Sequence, residues 1–397
     1  TDLVKKFGNQ IKHLETRIQL MIELGQSKKA EQELLSLLTP IPSNSDFHHL
    51  LADFYLKTGE PQKSTEIYKK IIALYPKDSK ATFALLDQGN EELFEKFNPV
   101  FSNSQISLDD KIKSILPIVQ KAVETKDLSV GSSLQKLCLS LLDQYPPSAK
   151  LYALAGDIDQ INDENLSAIN WYKKSINLDP GIYQVWEMLW YLQIKEGQFS
   201  ALIKSTQEAL NFFPFNQKIY YLLSFGSFKS GNLENALEYI EEALLYNANE
   251  IPFILLKTFI LLSKKDIDRA ELEIEALILK YPKNIEVKGY ETYINALRGK
   301  SHTMDALLSE RSISPSLYYF ASKISLLEKD YENSELYAEE YFKSQHQDFL
   351  AEVFEIKGDL SEQKGELEQA QTYWKLALEK GVNSDSIKEK IKRYAPK

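Results

Sequence analysis

The turn signals of this chain recur every 34 residues. Asp163, Gly197, Gly231, Lys265 and Gly299 stand at equivalent turn positions, and the helix-stopping Pro146, Pro180, Pro214 and Pro282 keep the same clock. Gly25 and Gly59 extend it toward the N-terminus, as do Pro42 and Pro76. From Pro76 to Pro146 is 70 residues, two periods plus two, and from Gly299 to Gly365 is 66, two periods minus two. Each gap therefore holds two degenerate units. Roughly eleven units follow, with turns near 25, 59, 93, 129, 163, 197, 231, 265, 299, 331 and 365. A fixed period of this length means one supersecondary unit stacked on copies of itself, each covering the apolar face its neighbour leaves open.

The residues within a unit say what it is. Between Lys150 and Pro180, Tyr152, Ala155, Gly156 and Asp159 fall in one apolar-periodic segment. Ala168, Tyr172, Ser175 and Ile176 fall in a second, after the turn at Asn162-Asp163-Glu164. Two helices of about three turns each are implied. Asp179-Pro180 stops the second, because proline has no N–H and disfavours helical geometry in the residue before it. A small residue recurs in the first helix as Ala52, Gly156, Ser224, Thr258, Thr292, Ser322 and Gly358. Another recurs in the second as Ala30, Ser64, Ala168, Ala236, Ala270 and Ala370. Small side chains at fixed places let two helices cross closely.

This arrangement of aromatic, small pair, Gly turn, Ala, aromatic, Ala and closing Pro resembles the tetratricopeptide repeat family. Phe47 to Pro76, Tyr152 to Pro180, Trp186 to Pro214, Tyr220 to Ala248, and Phe354 through Gly365, Ala370, Trp374 and Ala377 carry the resemblance, which covers about residues 11 to 382. It implies an all-α, right-handed superhelical solenoid of about eleven helix-turn-helix repeats, closed by a C-terminal capping helix. As one continuous solenoid the chain divides into an N-terminal helix and two repeats over 1–78, degenerate repeats over 79–148, four regular repeats over 149–284, degenerate repeats over 285–347, and a last repeat with its cap over 348–397. In that cap Ser384 is the expected N-cap. Ile387, Ile391 and Tyr394 form its apolar stripe, and Lys388, Lys390, Lys392 and Arg393 are left for solvent. One regular unit departs from the pattern: Trp190 and Leu202 stand at small positions and Thr206 at an aromatic one. Either volume is exchanged inside that hairpin or the solenoid bends there.

Composition excludes several classes of function. The net charge is −10, from 47 basic and 57 acidic side chains, which opposes a general nucleic-acid binder. The basic cluster Lys5, Lys6, Lys12 and Arg17 reads as a solvated helix face. The longest apolar run, Ile251 to Leu262, has 12 residues and contains Lys257, too short to span a bilayer. A single cysteine, Cys138, forbids an intrachain disulfide and a cysteine zinc site, and its neighbours Leu137 and Leu141 make it a buried small hydrophobe. His13, His48, His49, His302 and His346 are scattered without metal-ligand spacing, and no cofactor motif is present. Gly299-Lys300-Ser301 copies the tail of a phosphate loop, but Ile294 occupies the required upstream glycine position, so it reads as an inter-helix turn. Gly226 and Gly231 have the right separation, yet Asn232 follows where lysine is needed. Paired acids such as Glu241 and Glu242 read as solvated charge. An enzyme is not expected.

What remains is a binding surface. The resemblance implies that the first helix of each unit lines a concave groove, with residues one and five places past the consensus aromatic pointing into it. That frame selects Glu187 and Tyr191, Tyr221 and Phe225, Leu255 and Phe259, Gly289 and Tyr293, then Tyr319 and Lys323, with Phe228 one turn further on. An aromatic stripe is expected, with Asp157 and Glu187 at one end and Glu352, Glu355, Asp359 and Glu362 at the other. The family's carboxylate-clamp positions hold His49 and Asp53, or Ala153 and Asp157, and acids there would repel such a ligand. The expectation is a non-enzymatic scaffold for partner protein segments with apolar anchors and basic flanks. The alternative is a carbohydrate- or glycolipid-binding repeat protein, read through Trp186 or Trp190. Abundant Lys, Asn, Ile and Tyr suggest an AT-rich bacterial source, where such proteins are often lipid-anchored in the envelope. Periplasm, outer-membrane lipoprotein and cytoplasm stay open as locations.

Overall fold

The computed structural model describes residues 14–38, 45–75, 78, 81, 101–103, 106–125, 128–301, 304–309, 314–345, 348–381 and 385–394. Among them every regular element is a helix, and the helices group into two compact units, Thr1–Asp179 and Pro180–Lys397. In the first unit a helical stretch over 14–23 leads to α1 (Ser27–Leu38), the pair α2 (Ser45–Lys57) and α3 (Pro61–Leu74), then α4 (Leu108–Thr125), α5 (Leu128–Gln144), α6 (Ala149–Ile161) and α7 (Asn165–Leu178). The second unit holds α8 (Tyr183–Lys195), α9 (Phe199–Ala209), α10 (Gln217–Lys229), α11 (Leu233–Tyr246), α12 (Ile251–Ser263), α13 (Ile267–Lys280) and α14 (Ile285–Leu297). It continues through α15 (Met304–Leu308), α16 (Pro315–Leu327), α17 (Tyr331–Lys343), α18 (Leu350–Gln363), α19 (Leu367–Glu379) and α20 (Asp385–Arg393).

The 34-residue clock has a backbone cause. At each turn one residue takes a positive φ: Gly25, Gly59, Asp163, Gly197, Gly231, Lys265, Gly299, Lys329 and Gly365, at 59° to 80°. The residue after it donates its N–H five positions back, as in Gln198 to Gln193 O (2.7 Å), Asn232 to Ser227 O (2.9 Å) and Glu366 to Ser361 O (2.9 Å). This is the Schellman closure, which satisfies carbonyls the helix end would leave orphaned. The same residue then starts the next helix: Asn232, Asp266 and Asp330 accept from the backbone N–H of Asn235, Arg269 and Asn333. One dipeptide ends one helix and caps the next, so the turn cannot drift. The turn expected near 331 is centred on Lys329. Position 129 lies inside α5 rather than at a turn, and the turn near 93 falls outside the described residues. Pro42, Pro76, Ser384, His13, His302 and His346 also fall outside them.

Close crossing of the paired helices follows from the small positions. Ala52, Ala168, Ser224, Ala236, Ala270, Ser322 and Ala370 are all fully buried, and Ser224 and Ser322 donate to the carbonyls of Ala236 and Ser334 (both 2.7 Å). At Gly156 a Cβ would come within 2.5 Å of the Tyr172 ring, and at Gly358 within 2.4 Å of the Trp374 ring. Between pairs, cations at the ends of first helices meet acids on the preceding second helix: Lys264 with Glu234, Arg298 with Asp268 and Glu271, Lys364 with Glu335. Such exposed pairs help register more than stability.

Two departures from regularity shape the second unit. In α8–α9, Trp190 is buried between Tyr183 and Trp186 while Leu202 and Thr206 are buried opposite, a large-for-small exchange within the hairpin. In the next departure, the described second helix after α14 is only the five residues of α15. First helices α14 and α16 therefore approach directly, with the Tyr290 and Phe320 rings 4.7 Å apart. Gly289 permits this, since a Cβ there would stand 2.6 Å from Leu317. Helix α20 covers the last hairpin through Ile387, Ile391 and Tyr394. One of its cations is not left to solvent, since Lys390 pairs with Asp359; Arg393, 3.9 Å from Glu362, stays exposed.

Candidate functional site

The aromatic residues of the second unit gather on one face because the first helices α10, α12, α14, α16 and α18 stack side by side with the same residue positions inward. Phe228, near the end of α10, packs on Phe259 of α12 with ring centroids 5.3 Å apart. Phe259 meets Tyr319 of α16 edge-on at 6.0 Å and Phe349, just before α18, at 5.2 Å. Tyr319 and Phe349 stack almost parallel at 4.5 Å. The Phe349 backbone N–H donates to Tyr341 Oη (2.8 Å), which holds that ring in place.

These rings stand between two cavities. One, of about 210 Å³, is lined by Tyr221, Phe225, Leu255 and Tyr290, with Glu286 and Asp348 among its polar groups. The other, of about 570 Å³, is lined by Tyr293, Tyr319, Lys323, Glu352, Glu355 and the backbone turn at Gly381. Phe228 and Phe259 line both.

An ion pair closes this face. Lys229, at the end of α10, places its Nζ 2.7 Å from Glu352 Oε1 and 3.1 Å from the Asp348 carbonyl, with both side chains nine-tenths buried or more. Residues 123 apart in sequence are thus joined, and the α18–α19 hairpin packs back toward α9 and α10. At Gly381 a Cβ would stand 2.6 Å from Phe199. Glu352 Oε2 is buried with no hydrogen-bond partner among the described residues.

Lys323 and Glu355 face the larger cavity from α16 and α18. Burial pushes the Lys323 ammonium down, but Glu355 first, then Tyr293, Asp359 and Glu352, carry it above its ordinary value. Burial pushes the Glu355 carboxyl up, with Lys323 opposing. The Tyr319 hydroxyl is raised well above the usual phenol range, chiefly by burial and then by the neighbouring Tyr293, Glu352 and Glu355.

The residues selected from the sequence are not equally placed. Tyr191 is half exposed, and Tyr221, Phe225, Phe228 and Lys323 are partly buried. Leu255, Phe259, Tyr293 and Tyr319 are buried, packed largely against one another. Tyr221 stacks on Phe253 at 4.9 Å, and Phe225 meets Phe199 edge-on at 6.0 Å. Glu187 pairs with Lys218 at 2.7 Å. The acids expected to end the groove are mostly matched by the chain itself. Asp359 accepts from Trp374 Nε1 and Lys390, and Glu362 accepts from Tyr394 Oη. In the first unit Asp157 accepts from Tyr172 Oη (2.7 Å) and Asp53 from Tyr68 Oη (2.8 Å). Lys229 and Phe349 were not selected. Neither occupies a position that the repeat frame points inward, and Phe349 lies where the repeat is least regular.

Among the described residues no cluster of histidines, cysteines and carboxylates could hold a metal, and no helix is long and apolar enough to cross a membrane. Cys138 is buried, and burial pushes its thiol up to about 12. His49 places Nε2 3.0 Å from Asp78, whereas His48 packs edge-on to Tyr75.

Residues 45–78 match the model of the tetratricopeptide repeat. No curated protein matches the chain. Among solved structures it is similar to a tetratricopeptide repeat protein from Parabacteroides merdae ATCC 43184, at 16% identity and a TM-score of 0.44, over 71% of this chain and 97% of that one. It is also similar to yeast Tom70, at 13% identity and 0.39, over 98% and 95% of the two chains. A third similarity is to the APC/C hetero-tetramer Cut9-Hcn1, at 13% and 0.38, over 99% and 91%.

Proposed function

Because the chain is built from tetratricopeptide-type helix pairs, a general protein-binding scaffold, we propose that its second unit captures a partner protein segment on the inner face of α10 and α12. The observation that carries this reading is the smaller cavity. At about 210 Å³ it suits one large apolar side chain, its walls are Tyr221, Phe225, Phe228, Leu255 and Phe259, and carboxylates Glu286 and Asp348 line it as well. An apolar anchor with a basic flank fits such a place, since anchors in desolvated pockets carry most of the energy of protein recognition. Tyr191, half exposed on α8, would extend the contact.

Peptide display selected on the chain should enrich sequences with Leu, Phe or Trp beside Lys or Arg, and Phe225→Glu should remove that enrichment while helicity is retained. Enrichment of acidic flanks, or selection unaffected by Phe225→Glu, would overturn the reading. A setting in a bacterial envelope assembly belongs to the same proposal, motivated by the composition, and cell fractionation tests it. The carbohydrate alternative gains little, because Trp186 and Trp190 are each 1% exposed and present no face for stacking on a sugar.

A further inference from the structure

The larger cavity has a chemistry that capture of an apolar anchor does not use. Its volume of about 570 Å³ lies in the range of small-molecule sites. Lys323 and Glu355 face it from neighbouring first helices; burial disfavours both charges, and after burial each is the largest influence on the other. Yet among the described residues neither makes a hydrogen bond or an ion pair. Glu352 lines the same space, nine-tenths buried, with Oε2 lacking a partner. Buried charges are normally paired and hydrogen-bonded, because leaving them unsatisfied is costly. Of the other charges about this space, Lys229 is paired with Glu352 and Lys390 with Asp359, while Lys265 lines it as an exposed turn residue. The Lys323 ammonium and the Glu355 carboxyl, both partly buried, share a space walled by Phe228, Phe259, Tyr293 and Tyr319. A purely cationic ligand would meet Lys323, and a purely anionic one Glu355. A ligand carrying both charges, with an apolar or aromatic body, satisfies both and stacks on the rings.

We propose that this chamber binds a small zwitterion of the α-amino-acid class, its carboxylate on Lys323, its ammonium on Glu355 and its side chain against Phe228 and Phe259. The inference goes beyond the capture of a protein segment and needs no protein partner.

Isothermal titration of the full chain with L-phenylalanine tests it, beside N-acetyl-L-phenylalanine, which lacks the ammonium, and L-phenylalaninamide, which lacks the carboxylate. The free amino acid should bind, and each capped form about tenfold or more weakly, as expected for losing a charge-assisted hydrogen bond. Lys323→Met should erase the preference for acid over amide, and Glu355→Gln the preference for free over acetylated amine. Because each readout is a ratio between ligands on one protein, a general loss of stability does not imitate it. Absence of L-phenylalanine binding at millimolar concentration, or equal binding of the capped forms, would overturn the proposal, and peptide selection through Phe225 would be unaffected by either outcome.

Discussion

Hairpins α6–α7 and α18–α19 are built alike and do different things. Each has a glycine under a second-helix aromatic, Gly156 under Tyr172 and Gly358 under Trp374. Each has an aspartate next to that glycine, fifteen positions before the aromatic and hydrogen-bonded to it: Asp157 to Tyr172 Oη and Asp359 to Trp374 Nε1. What separates them is the neighbourhood. Among the described residues no cation pairs with Asp157, and burial pushes its carboxyl up to about 6, with the Tyr172 bond opposing. Asp359 is met by Lys390 from the capping helix, and the start of α18 carries Glu352 to Lys229 and Phe349 to the aromatic face. The same local device lines a small pocket of about 150 Å³ against α5 in one place and helps wall two larger cavities in the other.

The comparison can be broken hardest at Lys229. Lys229→Met leaves Glu352 buried without its cation, and urea denaturation of the second unit should report a loss of about 3–5 kcal/mol. Lys229→Met combined with Glu352→Met should recover most of it. No equivalent change exists in α6–α7, so a small effect would mean that the pair does not hold α18 in place.

Gly156→Ala and Gly358→Ala probe what the hairpins share. Each inserts a methyl into a ring, and both should cost about 1–3 kcal/mol in denaturant titrations. Unequal costs would show that the crossing is set by neighbouring pairs rather than by the hairpin.

Asp157 sharpens the difference through pH. Its folded value of about 6 exceeds the ordinary 3.8, so its contribution to stability is fully present below about 4 and is lost as pH rises through 6. Asp157→Asn should raise stability at pH 7 by on the order of 1 kcal/mol after the weaker Tyr172 bond is counted, read as a higher urea midpoint, and flatten this part of the pH profile. A midpoint unchanged from pH 4 to 7 in the parent chain would contradict it.

The smallest effect is expected at Tyr191. Being half exposed, Tyr191→Ala should shift stability by no more than about 0.5 kcal/mol, whereas Tyr293→Ala, buried against Phe320, should cost about 3 kcal/mol. Thermal melts of the two variants separate an exposed residue from a buried wall residue.

Much of the fold is legible in the residues themselves. Gly231-Asn232, Lys265-Asp266 and Lys329-Asp330 specify a helix end and the next helix start within two positions, using only backbone stereochemistry and a short polar side chain. The small residues at Ser224 and Ala236, or Ser322 and Ser334, fix how each pair crosses. The site was legible only as a list of inward positions. Tyr293, Phe259 and Tyr319 are expected on the inner face and each is buried, but whether such a ring faces solvent, a neighbour or a cavity depends on residues several repeats away.

Local periodicity therefore settled the helix pairs and their turns, because each rests on interactions spanning a few residues. The closure by Lys229 and Glu352, the stacking of Phe349 on Tyr319 and the unspent pair Lys323 and Glu355 were decided only in three dimensions. They arise where the stacking of successive pairs, and the shortening of one unit at α15, bring residues up to 123 positions apart face to face. A repeat frame places each side chain relative to its own hairpin. The accumulated geometry of many hairpins determines what that side chain meets.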